Sequence, residues 1–246
     1  PLLMDAPVIA IHQPTFLPWM GLFRKIALAD TFVVLDAVEV SRGSWINRMK
    51  LAVGVQARWF TCPMRRGGNE QLIRDVQINE DAYNWRKKLL GTLEANYRSA
   101  GCYDQVMPWL SELIQRPESN LAAYSEAAIR AIAEAIGVKT DFVRHSALVD
   151  SDAHNKTGSE RLAAICHELG GATYLAGDGA DTYEDADAYQ ASGLVFAKVG
   201  FRHPVYPQAH RGEGFIAGLS ILDGLLNVGF DQTGEMVRNP DAFQEC

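Results

Sequence analysis

Two short apolar runs near the start of the chain constrain its fold more than any other sequence feature. The first run, Val8–His12, is followed by the polar Gln13, and the second, residues 31–36, ends on Asp36. Both predict buried strands, because a strand that is covered on both faces is apolar without alternation. If the strands are parallel, they bring His12 and Asp36 to one edge of the sheet, where open α/β folds bind ligands.

The segment between these runs predicts a helix and so completes a strand–helix–strand unit. Pro18 suits the first turn of this helix, and Lys25 is predicted to lie on its flank. The apolar residues that recur at helical spacing are Leu22, Phe23, Ile26 and Ala29.

The rest of the chain alternates between predicted strands and helices. Strands are predicted at residues 57–64, 141–144, 173–180 and 194–199, and helices at 82–98, 105–115, 118–136, 159–169 and 215–229, the last closed by Gly229. The polar stretch 36–54 predicts an irregular loop. We therefore predict one α/β domain over residues 1–246, with a partly parallel sheet flanked by helices and a helical insertion at about 80–137.

Composition argues against several classes of protein. The 30 acidic residues outnumber the 23 basic ones, which disfavours a nucleic-acid partner held through its phosphates. No apolar run reaches the roughly 20 residues of a membrane span, and the first residues lack the pattern of a secretory signal, so we expect a cytoplasmic protein. The spacing of the histidines and of the cysteines predicts no metal site and no cofactor, and free thiols at Cys62, Cys102, Cys166 and Cys246.

Three residues are the leading candidates for catalysis. His12 is predicted to be a general acid or base. The alternative is a structural histidine that caps the strand by bonding to the backbone. Asp36 is predicted to orient His12 or to bind a substrate amine or a metal, with a turn cap as an equal alternative. Arg48, with Trp45 and Asn47, suits a loop that clamps an anionic or carbonyl group, and it equally suits a structural ion pair.

Other polar residues near predicted strand and helix ends are candidates for substrate binding. Lys156 precedes a helix whose N-terminus favours an anion, and Gly177 allows the backbone to approach a ligand closely. Cys166 is predicted to be a core residue, because His167 beside it on a helix points about 100° away and cannot easily activate it. With Trp45 and Asn47, the candidates for substrate binding are Gln13, Lys156, Tyr174, Gly177, Asp178, Tyr206 and Gln208.

The order and spacing of several motifs resemble those of the WbqC-like family, named for proteins encoded in bacterial O-antigen gene clusters. The motifs are His12-Gln13-Pro14, Leu17-Pro18-Trp19, Lys25, Ala29-Asp30, Asp36, Trp45-Ile46-Asn47-Arg48, Tyr174-Leu175-Ala176-Gly177, Tyr206-x-Gln208 and Leu219-Ser220-Ile221-Leu222-Asp223-x-Leu225-Leu226-Asn227-x-Gly229. The resemblance implies a biosynthetic enzyme of surface glycans or specialised metabolites, with transfer of an acyl or aminoacyl group as its reaction. It assigns no catalytic residues.

The combined prediction is an enzyme that transfers or cyclises an activated acyl or aminoacyl group of a small-molecule substrate, free or bound to a carrier as a thioester. Two alternatives stay open. A weaker likeness to nucleotidyltransferase-type folds favours nucleotide transfer, but the chain has only His12 where those enzymes have two closely spaced histidines. The other alternative is a non-catalytic binding protein of a biosynthetic complex.

Overall fold

A computed structural model describes residues 6–41, 45–65, 67–68, 70–148, 152–179, 186–209, 212 and 214–244. The strands are β1 (Val8–His12), β2 (Thr31–Val34), β3 (Arg48–Val53), β4 (Gln56–Thr61), β5 (Asp141–Arg144), β6 (Thr173–Ala176) and β7 (Val195–Lys198). The helices are α1 (Met20–Ala27), α2 (Trp85–Tyr97), α3 (Tyr103–Ile114), α4 (Leu121–Ala135), α5 (Gly158–Glu168), α6 (Ala186–Ala191) and α7 (Ile221–Arg238).

Five strands form one sheet in the order β5-β2-β1-β6-β7, and every neighbouring pair is parallel. The chain builds outward from β1 to β5 on one side and then returns to add β6 and β7 on the other. This is the doubly wound order 3-2-1-4-5, whose direction reverses between β1 and β6. The predicted α/β fold is confirmed, and the main sheet is wholly parallel.

Both faces of the sheet are covered, which explains the continuous apolar sequence of β1. Ala10 points into the larger core, shared with α1, α4 and α7, whereas Ile9 and Ile11 point into a smaller core shared with α5 and α6. Cys166 of α5 is fully buried in this second core, as predicted. The thiols of Cys62, Cys102 and Cys166 form no disulfide, and Cys246 lies outside the described residues.

Three consecutive helices, α2, α3 and α4, lie between β4 and β5, within the range predicted to be a helical insertion. Their buried side chains join the larger core, so they pack as an additional layer on the α1 side of the sheet. In the ranges given above, no helix has both the length and the apolar character needed to cross a bilayer.

Two sequence predictions need correction. The stretch 36–54 is not all loop, because residues 48–53 form β3, which pairs with β4 as a separate antiparallel hairpin. The strand was not predicted because every second position at its start, Arg48 and Lys50, is charged. Gly229 does not end the last helix either: α7 begins later than predicted, at Ile221, and helical structure resumes beyond a kink at Gly229, where φ is 80°.

Candidate functional site

A cavity of about 480 Å³ opens at the point where the strand order reverses. Open α/β sheets bind their ligands at this position, outside the carboxyl ends of the strands. We call it the His12 cavity. Its walls come from the ends of β1 and β6, the first turns of α1 and the loop after β7, and its polar and aromatic lining residues are His12, Gln13, Trp19, Lys25, Tyr174, Asp178 and Phe201.

His12 lies at the end of β1, and its ring is held in one orientation. Nδ1 is 2.8 Å from the carbonyl oxygen of Gln13, which can only accept, so Nδ1 carries a proton. Burial and the nearby charge of Lys25 lower the pKa of His12 to about 4. The imidazole is therefore neutral at pH 7, and its Nε2 is the nitrogen with the free lone pair.

Lys25 is a buried cation beside His12. Its side chain is only 4% exposed, and Nζ donates to the carbonyl oxygen of Ile11 at 2.7 Å. The same ammonium lies 5.8 Å from the ring centroid of Tyr174. The sequence predicted Lys25 on the flank of α1, but Lys25 is buried. Its spacing of three residues from the buried Leu22 indicates that it lies on the buried face of the helix.

The first turn of α1 borders the cavity through Gly21 and Leu22. Trp19 occupies the N-cap position and supplies no side-chain hydrogen bond, but its carbonyl oxygen accepts from the N–H of Leu22 at 3.1 Å. What the N-terminal end of α1 contributes to the cavity is therefore the positive end of the helix dipole, which favours an anion. The bend before α1 is strained, since Leu17 has φ of 41°. Ser220 stabilises it by donating its hydroxyl to the carbonyl oxygen of Leu17 at 2.7 Å.

The opposite wall follows β6. Asp178 accepts hydrogen bonds from the backbone N–H groups of Gly200 and Phe201, at 2.7 and 2.8 Å, and so holds the loop after β7 at the cavity. A Cβ on Gly177 would meet nothing within 4 Å, so packing does not require this glycine and it leaves space in the cavity open. Tyr174, Gly177 and Asp178 thus lie with His12, as their positions at a strand end predicted.

Asp36 does not join His12. Its two carboxylate oxygens accept from the backbone N–H and the hydroxyl of Ser146, at 2.9 and 2.6 Å, and it lines a separate cavity of about 130 Å³. No contact between Asp36 and His12 is present in the described part of the chain. The expectation that the two meet fails because Asp36 lies beyond the end of β2 and turns towards the segment after β5.

The predicted clamp residues lie on or next to the β3–β4 hairpin. Asn47 is structural: its amide donates to the carbonyl oxygen of Cys62 at 3.0 Å. The Arg48 guanidinium stacks over Trp59, 4.6 Å from the ring centroid. Trp45 is 41% exposed and contacts both Trp59 and, at 5.5 Å between centroids, Trp19 of the cavity wall.

Three further candidates lie away from the His12 cavity. Tyr206 and Gln208 both donate to the same oxygen of Asp223 at 2.8 Å, which fastens the segment after β7 to α7. Lys156 forms an ion pair with Asp152 at 2.7 Å. These contacts give all three residues a structural role. The bonds from Tyr206 and Gln208 to Asp223 join residues 17 and 15 positions apart, so their pairing was not visible in the sequence.

Another cavity, of about 810 Å³, lies between α2 and α3, but it is remote from the sheet edge. Among the described residues, no group of three or more histidine, cysteine or acidic side chains is arranged to hold a metal ion. The reversal point of the sheet, with its neutral imidazole and buried ammonium, is therefore the best candidate for a functional site.

Comparison with known proteins gives one family and one relative. The sequence profile of the WbqC-like protein family matches residues 13–235, a range that includes Lys25 and begins one residue after His12. The uncharacterized protein Rv1507c of Mycobacterium tuberculosis (strain ATCC 25618 / H37Rv) is 29% identical over 243 residues, which cover 97% of this chain and 98% of that protein. No solved structure matches the chain.

Proposed function

The chain belongs to the WbqC-like protein family, and we propose that it is a group-transfer enzyme of biosynthesis whose reaction takes place in the His12 cavity. The transferred group is an activated acyl or aminoacyl group, and the acceptor is an amine or a hydroxyl. One observation carries this proposal: a neutral imidazole and a buried ammonium line the same cavity at the reversal point of a doubly wound sheet.

Each group has a distinct part in the proposed reaction. The acceptor nitrogen or oxygen attacks the acyl carbon, and Nε2 of His12 accepts the proton that the acceptor loses. Lys25 and the positive end of the α1 dipole attract the anionic leaving portion of the donor, a phosphate or a thiolate. When the acyl–leaving group bond breaks, the leaving group departs with the bonding electron pair, and His12 returns its proton to it or to solvent.

The charge of Lys25 links donor binding to the basicity of His12. Without a ligand, the ammonium contributes to a pKa of about 4, which makes His12 a weak base. An anion bound beside Lys25 would offset that charge and raise the pKa of His12 towards its ordinary value. The imidazole would then become an effective base only when the donor is in place.

A second candidate function is nucleotidyl transfer. The strand order and the helix N-terminus beside His12 favour it, since the same arrangement binds nucleotide phosphates in other doubly wound folds. In that case the acceptor would attack a nucleotide α-phosphate and displace pyrophosphate. The absence of a second histidine close to His12 in sequence makes this the weaker candidate.

The test supplies acyl phosphates, acyl adenylates and acyl thioesters, with hydroxylamine as a surrogate acceptor, and measures the acyl hydroxamate formed. We expect His12→Gln to lower turnover about 10²- to 10⁴-fold, the range typical of a lost general base. Lys25→Met should weaken donor binding. Lys88→Met, at an exposed position on α2, is the control and should behave like the unaltered protein.

The outcomes separate the candidate functions. Undiminished turnover in both His12→Gln and Lys25→Met would exclude the proposed site. Pyrophosphate release with ATP or CTP and Mg²⁺, together with a rise in Tm caused by nucleotide binding, would favour nucleotidyl transfer. Binding of a donor without turnover in any combination would favour a non-catalytic binding protein.

A further inference from the structure

A second cavity, of about 820 Å³, adjoins the His12 cavity. Gln13, Leu35 and Leu162 line both, so the two spaces share a wall at the carboxyl edge of the sheet. We call the second space the arginine cavity, because Arg74 and Arg161 line it together with His154 and Ser146. One acidic side chain, that of Glu39, also lines it and is exposed.

Among the residues that the structure describes, neither Arg74 nor Arg161 is paired with a carboxylate. In the described part of the chain, seven other arginines form such pairs: Arg65, Arg86, Arg98, Arg130, Arg144, Arg202 and Arg238. The Nε of Arg161 donates to the carbonyl oxygen of Ala153 at 3.2 Å, and this bond orients the guanidinium. Two guanidinium groups that line one cavity without a carboxylate partner among the described residues are suited to an anion, because each guanidinium offers paired N–H donors.

The histidines of this region lie in the field of the same arginines. His154 stacks on the fully buried His145, with ring centroids 4.5 Å apart. The pKa of His145 is lowered to about 4, mainly by burial and further by the charges of His154, Arg161 and Arg74, against which Asp36 acts in the opposite direction. Arg74 and Arg161 therefore both place positive charge near the stacked histidines.

We propose that the arginine cavity binds a phosphate group of the second substrate, the acceptor. This inference rests on the proposed function, because a transfer reaction requires two substrates bound side by side. The donor then occupies the His12 cavity, and the acceptor reaches past Gln13 with its nucleophilic atom towards His12. The acceptor class is a phosphorylated small molecule with an amine or hydroxyl group.

The predicted cation at this position was Lys156, next to the N-terminus of α5. Lys156 is instead engaged with Asp152 and does not line the cavity. Arg161 replaces it, one turn into α5, and Arg74 comes from a segment far away in the sequence. The two guanidinium groups, rather than the helix end, carry the assignment.

The experiment titrates inorganic phosphate while NMR follows two imidazoles as local reporters. His154 reports on the arginine cavity and His12 on the neighbouring one. We expect the His154 resonance to shift with phosphate, and Arg74→Gln/Arg161→Gln to weaken this response about tenfold or more. Arg74→Gln/Arg161→Lys should recover part of the phosphate affinity that the double glutamine variant loses. Lysine restores the positive charge but lacks the planar, paired N–H donors of arginine. The control is Arg98→Gln, at an exposed residue of α2's end.

Each result has one meaning. If His154 does not respond to phosphate, or responds with the same affinity in the double variant, the inference is overturned. If the His154 response depends on the arginines while the His12 resonance responds neither to phosphate nor to donors, phosphate binding in the arginine cavity is supported. Donor binding in the His12 cavity is then excluded. Both arginines are at least partly exposed, so the variants are expected to fold, and circular dichroism with the single variants checks this.

Discussion

The ammonium group of Lys25 donates to the main-chain carbonyl oxygen of Ile11 at 2.7 Å, which fixes a buried positive charge beside His12, the next residue of β1. A helix residue and a strand end are thereby joined at the centre of the sheet. Because His12 is anchored through Nδ1 to Gln13, the two groups have a defined relative position. The electrostatic state of the imidazole follows from this arrangement.

The first prediction concerns the pKa of His12 in Lys25→Met. Methionine has a similar length and no charge, so its introduction removes one of the two causes that lower the pKa and leaves the burial. We expect the pKa to rise from about 4 towards the ordinary value of 6.5 without reaching it. NMR titration of the His12 ring measures this, with Lys88→Met as the control. An unchanged pKa would show that burial alone sets the value.

The second prediction compares two glycine-to-alanine substitutions. A Cβ on Gly21 would lie 2.6 Å from Nε1 of Trp19 and 2.9 Å from Cδ1 of Phe201, two side chains of the cavity wall. We expect Gly21→Ala to lower the free energy of unfolding by about 1–3 kcal/mol through overpacking. Gly91→Ala, in the middle of α2 with nothing within 4 Å, should raise it by about 0.5–1 kcal/mol.

Urea denaturation of the two alanine variants provides the measurement. The substitution is the same in both, so the opposite signs isolate the contact with Trp19 and Phe201. Equal effects on stability would mean that the wall of the His12 cavity can rearrange freely around α1, and the cavity would then lack the rigid shape that the proposed reaction needs.

Much of the parallel sheet follows from the sequence because β1 and β2 are covered on both faces, so their composition alone identifies them. Strand β3 of the hairpin was missed for the opposite reason, whereas β4 was predicted. In β3, the cations Arg48 and Lys50 alternate with the buried Met49 and Leu51. Because polar residues also precede this segment, the sequence predicted one continuous loop over residues 36–54 and the alternation was overlooked.

The site was predictable in part. A strand end correctly indicated that His12, Gln13 and Gly177 line a common cavity, because parallel strands place their carboxyl ends at one edge. The same argument failed for Asp36, since a local pattern does not show where a residue turns after its strand. Arg74 could not be found at all, because only the tertiary fold brings it to Arg161.

The third prediction tests whether Tyr206 has a structural role. Its hydroxyl donates to the fully buried Asp223, and the phenylalanine variant would remove that donor from a buried carboxylate. We expect Tyr206→Phe to lower the free energy of unfolding by about 1–3 kcal/mol while phosphate binding at the His12 and arginine cavities is unchanged. Tyr103→Phe, at a partly exposed residue of α3, is the control and should change stability by less than about 0.5 kcal/mol. Weakened phosphate binding in Tyr206→Phe would contradict a purely structural role and indicate that Tyr206 contributes to ligand binding.

The fourth prediction concerns the dependence of stability on pH. His145 is fully buried, and neither ring nitrogen has a hydrogen-bond partner in the described part of the protein. Its pKa in the folded state, about 4, is below the ordinary 6.5, so between these values the unfolded chain binds a proton that the folded protein does not. The contribution of His145 to stability is therefore complete above pH 6.5 and is lost as the pH falls towards 4, by about 3 kcal/mol.

Phenylalanine at position 145 retains a ring that can stack on His154 and removes both unpartnered nitrogens. At pH 7, where the imidazole is neutral, we expect His145→Phe to change the free energy of unfolding by less than about 1.5 kcal/mol. At pH 4.5 the variant should be the more stable protein, because it has no proton to gain on unfolding, and His12 contributes equally to both proteins and cancels in the difference. Urea denaturation at both pH values measures the difference. A constant gap between the two proteins would mean that His145 gains a partner, such as a bound water, that keeps its pKa near that of the unfolded chain.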